Sequence, residues 1–390
     1  MKNSNPENMI VDIDSCCGCG SCAAICPKNC IKMDYDESGF LYPKISTQYC
    51  ISCGRCKHVC PMINNLDSIK SSFGLQAYYG RMSDENKLSE VSSGGFASAI
   101  AELVIRNGGI VYGASYSDDF SRVEVVRSMT LKETERLRGS KYIQSEKNNI
   151  YKKISEDIKL GKTVLYIGLP CEVAALKLFL GKNYDNLITV DLVCHGPTSK
   201  YVFDEYIKSH NKNRDIVCFS MRYKLDKKWT PYYMMFKYKD GNRFVEQFWG
   251  SEFGYIFGRF ARPNCYSCKF KGKDHCSDFT VGDAWGDGAK GIVNDNLGLS
   301  TIIINSEKGY ELIKQMSDFR FFPAELTDVV NGNPNLIKCR ECNAESDFIG
   351  KNLRILGIKK IIKIIKPLKK QILDDLHMRK DQLCIRSRNR

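Results

Sequence analysis

The chain has 390 residues, a formal net charge of +13, 43% hydrophobic and 26% charged residues, and 19 cysteines. That size admits about two or three domains, and the composition is that of an ordinary soluble globular protein. The polar start MKNSNPENMIVDID and the lack of any apolar run of bilayer-spanning length speak against a secreted disulfide scaffold or a membrane-spanning protein; cytoplasmic metal ligation is the expectation.

Cys16, Cys19, Cys22 and Cys26 are followed by Pro27, and Cys50, Cys53, Cys56 and Cys60 by Pro61, so C-x2-C-x2-C-x3-C-P occurs twice. This spacing wraps short loops around cubane iron–sulfur clusters, with the fourth cysteine of each run crossing to the other cluster. It implies Cys16, Cys19 and Cys22 with Cys60, and Cys50, Cys53 and Cys56 with Cys26. Structural zinc usually separates its two C-x2-C knuckles by a longer segment. Cys17 and Cys30 fall outside the pattern and read as buried bystanders. Between the runs, Ile31–Asp34 and Phe40–Ile45 read as strands around a turn at Asp36–Gly39, giving a module resembling a bacterial two-cluster ferredoxin. Residues 64–74 read as a polar linker.

From about 75 to 320, β-branched runs at Gly109–Tyr116, Thr163–Leu169, Leu187–Val193 and Ser300–Asn305 alternate with helical patterns at Gly94–Arg106, Glu146–Leu160, Glu172–Leu180 and Lys200–His210. The order predicts an α/β body with a mixed sheet. Residues 216–248 alternate differently and predict an antiparallel insertion turning at Asp240-Gly241. Residues 351–390 hold thirteen Lys or Arg against three Asp, a net +10, leaving about +3 for the rest. Within Lys351–Gln371, Ile358, Ile361, Ile362 and Ile365 form one stripe and Lys359, Lys360, Lys363 and Lys366 take the other faces. Such a helix either packs on the body or lies on an anionic membrane surface; Pro367 interrupts it and favours packing. The tail contains no Phe, Tyr or Trp to stack bases, so nucleic acid is not an expected partner.

Several body motifs carry chemistry. Ser92-Ser93-Gly94-Gly95 opens a helix in the manner of a phosphate cradle. Arg138-Gly139-Ser140-Lys141-Tyr142 sets two cations and a ring beside a glycine, suited to an anionic or flat cofactor, or forms an ordinary charged loop. Leu169-Pro170-Cys171 and Val193-Cys194-His195-Gly196-Pro197 each end a strand, where α/β proteins present functional groups. Cys171 is reactive, ligating or buried; His195 is an acid–base group or a structural histidine. Cys265-x2-Cys268-x7-Cys276 is a third cysteine set whose fourth ligand is Cys194, with Cys171 the next choice, and a third cubane cluster is favoured over zinc. Asp283 and Trp285 in Gly282–Gly286 follow. Cys339-x2-Cys342 has no visible second pair.

In this order, SSGGF (92–96), GGIVYGA (108–114), RGSKYIQS (138–145), GLPCEVAAL (168–176), DLVCHGP (191–197), NCYSCKFKG (264–272), SDFTVGDAWG (277–286) and GLSTIIIN (298–305) resemble the beta-subunit family of coenzyme F420 hydrogenases and dehydrogenases, over residues 10–340. One departure is Leu169, where the family more often has Thr. The resemblance implies FAD in the body near the SSGG and RGSKY segments, with cluster ligands at Cys194, Cys265, Cys268 and Cys276, and hydride exchange with F420 or another two-electron substrate. A flavin is the natural converter between hydride and one-electron clusters.

The resulting expectation is an α+β chain. Residues 1–66 form a ferredoxin-like domain with two [4Fe-4S] clusters, 75–345 an α/β mixed-sheet flavin body, and 346–390 a basic helical tail. The expected activity is an FAD- and iron–sulfur-dependent oxidoreductase with ferredoxin or reduced F420 as redox partner; family members also accompany polysaccharide biosynthesis genes. A non-catalytic electron-transfer subunit is the alternative. Location is expected in the cytoplasm, with peripheral contact at the inner membrane surface if the tail binds lipid.

Overall fold

The computed structural model describes residues 10–211 and 215–388, with side chains to residue 367. Residues 1–9, and the tail side chains beyond Pro367, lie outside what is described.

The N-terminal module is a hairpin flanked by two cysteine loops. Strands β1 (Ile31–Tyr35) and β2 (Leu41–Ile45) pair antiparallel, with Ile31 opposite Ile45 and Tyr35 opposite Leu41. The Asp36 carboxylate closes the turn, accepting from the amides of Ser38 at 3.1 Å and Phe40 at 2.8 Å, as short acidic side chains do. Each loop contains a short helix, Ser21–Ile25 and Arg55–His58.

The body is built on one eight-stranded sheet. Its strands are β3 (Gln76–Met82), β4 (Ile110–Tyr116), β5 (Val123–Ser128), β6 (Val164–Gly168), β7 (Leu187–Leu192), β11 (Phe279–Asp283), β12 (Ser300–Ile304) and β13 (Phe319–Ala324). Spatial order is β13-β3-β12-β11-β7-β6-β4-β5. The four central strands β4, β6, β7 and β11 run parallel. Antiparallel strands close both edges. Central strands read as continuous apolar runs because helices cover both faces; Val164, Leu165 and Tyr166 of β6 are fully buried.

Between β7 and β11 the chain inserts β8 (Ile216–Tyr223), β9 (Tyr233–Tyr238) and β10 (Arg243–Gln247), ordered β10-β9-β8, with β9 and β10 joined across residues 239–242. This sheet packs in an aromatic core of Phe203, Tyr206, Phe219, Phe236, Phe248 and Phe253.

The C-terminal helix, Ala344–Arg388, bends at Gly357 (φ 71°). Ile358, Ile361, Ile362 and Ile365 are buried in that aromatic core, whereas Lys359, Lys360, Lys363 and Lys366 are exposed. Each buried isoleucine contributes about 1.5–3 kcal/mol of transfer free energy, so the stripe is accounted for by packing. No described helix is long and apolar enough to cross a membrane.

Candidate functional site

The cysteine loops fold so that their thiols form two groups. Cys16, Cys19, Cys22 and Cys60 are buried, and with Cys17 they line a cavity of about 20 Å³. Burial, then the neighbouring Cys19, Cys16 and Cys60, push the Cys22 thiol well up. Burial carries Cys60 up to about 11. The second group holds Cys26, Cys50, Cys53 and Cys56, and also Cys30, whose Sγ lies 3.4 Å from that of Cys26. The Cys26 hydrogen bond first, with burial and Cys50 adding, pushes Cys30 up to about 11. Cys30 thus stands among the second set of thiols, not apart from it.

The first group is locked onto the body by three buried residues, of which only Gln144 falls within a sequence motif, RGSKYIQS. Arg262 is 1% exposed; its Nε donates to the Cys16 carbonyl at 2.6 Å and its guanidinium stacks on Tyr42 at 3.9 Å. Tyr151 donates from its hydroxyl to the Cys19 carbonyl at 2.9 Å. The Gln144 amide donates to the Gly18 carbonyl at 3.1 Å, and its oxygen accepts from Leu41 N at 3.1 Å.

Behind this junction lies a third thiol group. A cavity of about 30 Å³ is lined by Cys17, Cys171, Cys194, Cys265 and Cys268, together with Lys271 and His275. Pro170 starts the helix that carries Cys171. Leu169 offers no capping hydroxyl, and the Glu172 carboxylate instead accepts from Leu169 N at 3.0 Å. The Gly196 amide donates to Cys194 Sγ at 3.3 Å, and a Cβ on Gly196 would lie 3.1 Å from Cys265 Sγ. Burial lifts Cys194 to about 11 against the pull of Lys271. The Cys17 hydrogen bond draws Cys171 down, yet burial and Glu172 leave it at about 11.

Cys276 does not line this cavity; it is buried and pushed up to about 12 by that burial, beside Asp191. The adjacent His275 does line it. Its Nδ1 faces both oxygens of the fully buried Asp191 at 2.9 Å, and its Nε2 has no partner among the described residues. Cys339 Sγ sits behind the site, 3.7 Å from the Cys268 carbonyl, and Cys342 is exposed.

A larger cavity, about 290 Å³, adjoins the third group. Ser92, Ser93, Gly95, Arg138, Gly139, Ser140, Lys141, Tyr142, Asp283 and Trp285 all line it, as do His195 and Cys194. Gly94 does not; a Cβ there would collide with the Gly80 carbonyl, so this glycine serves the packing of its loop on the sheet. Ser92 Oγ accepts from Ser140 N at 2.8 Å and ties the two loops together. The helix Phe96–Arg106 begins at the cavity, with Phe96, Ala97 and Ser98 in its wall.

Arg222 on β8 organises the same cavity and carries no sequence signal. It pairs with Asp283 at 2.8 Å, donates to the Tyr142 hydroxyl at 3.0 Å and the Ser92 carbonyl at 3.2 Å, and stacks on Tyr232 at 3.9 Å. Its burial opposes the charge, but Asp283 and Tyr142 hold it protonated. Arg138 is paired with Glu90 and Glu102. Burial draws the Lys141 ammonium down to about 7, while its Nζ donates to the carbonyls of Leu137 at 2.8 Å and Arg138 at 2.9 Å. Burial also holds His195 at about 4, a neutral imidazole. Trp285 stacks on Trp229 with centroids 4.4 Å apart.

The two cavities share a wall made of Leu169, Glu172, Val193, Cys194 and Pro197. Cys17, at the N-terminal junction, lines both the cavity of the first thiol group and that of the third. Thiol groups therefore run from the exposed loop at Cys50 to the edge of the large cavity. Among the described residues no three His, Cys, Asp or Glu converge on a point that would hold a single metal ion; a cubane cluster takes one thiolate at each of four separate iron corners.

Comparison with known proteins returned two family matches. Residues 161–328 match the C-terminal part of the family described as "Coenzyme F420 hydrogenase/dehydrogenase, beta subunit", and residues 15–63 match "4Fe-4S dicluster domain". Among curated proteins, the F subunit of F(420)H(2) dehydrogenase from Methanosarcina mazei is 23% identical over 324 residues, 79% of this chain and 84% of that protein. Among solved structures, the F420-reducing [NiFe] hydrogenase complex from Methanosarcina barkeri, in a xenon-derivatised form, contains a chain 18% identical with a TM-score of 0.46. The match covers 77% of this chain and 94% of that one.

Proposed function

Residues 161–328 belong to the coenzyme F420 hydrogenase/dehydrogenase beta-subunit family and residues 15–63 form a 4Fe-4S dicluster domain, and from that premise we propose that the chain is an FAD-dependent iron–sulfur oxidoreductase subunit. The observation that carries this reading is the shared wall. One side is a sulfur-lined cavity continuous with the dicluster domain through Cys17, and the other is a cavity of cofactor size.

The donor sets fit the groups proposed for them. Buried thiols such as Cys194 and Cys60 are costly to ionise on their own, and positive metal charge among them reverses that cost. Cys171, Cys194, Cys265 and Cys268 would hold a third [4Fe-4S] cluster, with His275 in place of Cys276 at the cavity wall. The N-terminal sets would hold the other two: Cys16, Cys19, Cys22 and Cys60, then Cys26, Cys50, Cys53 and Cys56. In the larger cavity, the first-turn amides of Phe96–Arg106 and the serines of the SSGG loop would receive the pyrophosphate of FAD. Arg222, whose Nε is buried without a partner among the described residues, and Tyr142 and Trp285 supply charge and flat surface.

Bound FAD would supply the exchange between hydride and single electrons. The chain's own residues position and insulate. Arg222 fixes Tyr142 and Asp283, His195 lines the cavity beside Cys194, and the buried strands β6 and β7 exclude water behind it. F420, or another two-electron substrate such as an intermediate of polysaccharide synthesis, is the proposed hydride partner, and partner enzyme subunits or ferredoxin the one-electron partners.

Anaerobic purification with iron and flavin quantified tests this. About twelve iron and one FAD per chain are expected. Protein that retains its iron but neither contains nor binds added FAD would leave only the electron-transfer role.

A further inference from the structure

The two N-terminal thiol groups differ sharply in their access to solvent. Cys16, Cys19, Cys22 and Cys60 are buried, whereas Cys50 and Cys53 are exposed, as is every residue from 46 to 53. Three large apolar side chains stand in solvent on these same loops: Tyr49 is 63% exposed, Ile51 56% and Ile63 48%.

Charge on this face is one-sided. Residues 26–33 and 44–63, which carry all five thiols of the second group, include Lys28, Lys32, Lys44, Arg55 and Lys57 but no Asp or Glu. Lys44 is engaged by Asp34 at 2.5 Å. Lys28, Lys32, Arg55 and Lys57 are exposed and have no ion-pair partner among the described residues. The Cys26–Cys30 contact and the bond from the Ser46 amide to the Cys30 carbonyl at 2.8 Å bring the Lys28 loop to the loop of the exposed thiols, so the cations are carried by the same loops as the second thiol group. A solvated surface ordinarily mixes both signs; here exposed apolar side chains and unpaired cations share the loops that carry the second thiol group.

Resting on the reading of these thiols as iron–sulfur ligands, we propose that this face is the docking surface for a small acidic one-electron carrier protein. Such encounters use small interfaces, below about 1,200 Å², and a few exposed side chains such as Tyr49, Ile51 and Ile63 provide a contact centre of that kind. Uncompensated cations on one partner steer an acidic partner and raise its association rate. Only one electron crosses per encounter, which suits a weak, fast complex. Because exposed thiols, Cys50 and Cys53, occur only in the second of the two N-terminal groups, the carrier reaches the chain here and not at the buried set.

The test is anaerobic stopped-flow electron exchange between the intact chain and a reduced acidic ferredoxin or flavodoxin over a range of ionic strength. The expected result is a second-order rate that falls steeply with salt. Arg55→Glu with Lys57→Glu lowers that rate at least tenfold at low salt and flattens its salt dependence, while iron content and the endpoint of dithionite reduction match wild type. Lys28→Glu with Lys32→Glu, on the other loop, gives the same pattern. A rate indifferent to salt and to both reversals overturns the docking surface. So does equal competition by an unrelated single-stranded oligonucleotide, which would mean the cations serve polyanions in general. Wild-type protein without iron, or not reduced by dithionite at all, would instead sink the underlying cluster assignment.

Discussion

Gly18→Ala and Gly54→Ala form a matched pair that isolates how the first cysteine loop is seated. Both glycines lie in the left-handed region, at φ 67° and 72°, so an alanine at either costs about 1–2 kcal/mol in backbone conformation. Nothing lies within 4 Å of a Cβ built on Gly54, whereas one on Gly18 collides with Gln144 Nε2 and lies 2.7 Å from Arg262 Nη1 and 2.8 Å from the Leu41 carbonyl. None of these yields readily: Arg262 is fixed to the Cys16 carbonyl, Gln144 bridges Gly18 and Leu41, and the third atom is backbone. Crowding of that kind adds about 1–3 kcal/mol, giving about 1–4 kcal/mol for Gly18→Ala once the reduced entropy of the unfolded chain is set against it. For Gly54→Ala, the reduced entropy of the unfolded chain offsets part of the strain, leaving about 1 kcal/mol. Urea unfolding of the anaerobic protein followed by circular dichroism measures both. Equal midpoints for the two variants would refute the claim that Gly18 is where the N-terminal module is pressed onto the body.

Cys194→Ala is expected to lose about four iron per chain and Cys276→Ala none, because only Cys194 lines the sulfur cavity; iron analysis of the two proteins decides. Arg222→Ala leaves the Asp283 carboxylate without its 2.8 Å partner. It should cost about 3–5 kcal/mol of stability and weaken FAD binding at least tenfold, by denaturant melts and flavin fluorescence titration, with Arg222→Lys failing to restore the stack on Tyr232. The Lys141 ammonium sits at about pKa 7, below the 10.5 of a free lysine, so the unfolded chain binds the extra proton between these values. Stability from this group therefore rises as pH climbs above 7, while the cavity loses a cation. FAD affinity should fall across the same interval, and Lys141→Met should flatten that fall in a titration from pH 6 to 9.

The cysteine spacing and the β-branched runs are the legible parts of the chain, because loop geometry around a cluster and burial on both faces leave local signatures. The expected strands at Leu187–Val193 and Ser300–Asn305 differ from those observed by one residue at their ends, and the Asp240-Gly241 turn joins β9 to β10. Strands β3 and β13 are harder to read: QAYYGRM and FRFFPA lack clean alternation, and they become strands through pairing, β3 between β12 and β13 and β13 on β3 at the sheet edge. Arg222 and Arg262 are invisible in sequence for a related reason. A buried arginine is defined by distant partners, Asp283 and Tyr142 for one and the Cys16 carbonyl for the other. Cys17 and Cys30 break the cysteine repeat and read as buried bystanders; both are buried, and Cys30 lies beside Cys26, a thiol that keeps the repeat. Cys276 continues the C-x2-C pattern in sequence, but the turn before β11 directs His275, not Cys276, to the cavity wall.

The central claim is that thiol-held centres join the exposed N-terminal face to the large cavity through Cys194. Anaerobic stopped-flow reduction of the FAD-loaded chain by a reduced ferredoxin, followed at the flavin absorbance, tests it in wild type and in Cys194→Ala. The account predicts flavin reduction in wild type and a loss of at least a hundredfold in the variant, with the N-terminal iron still reduced. Flavin reduced equally fast in Cys194→Ala protein that has lost its third set of iron would contradict it.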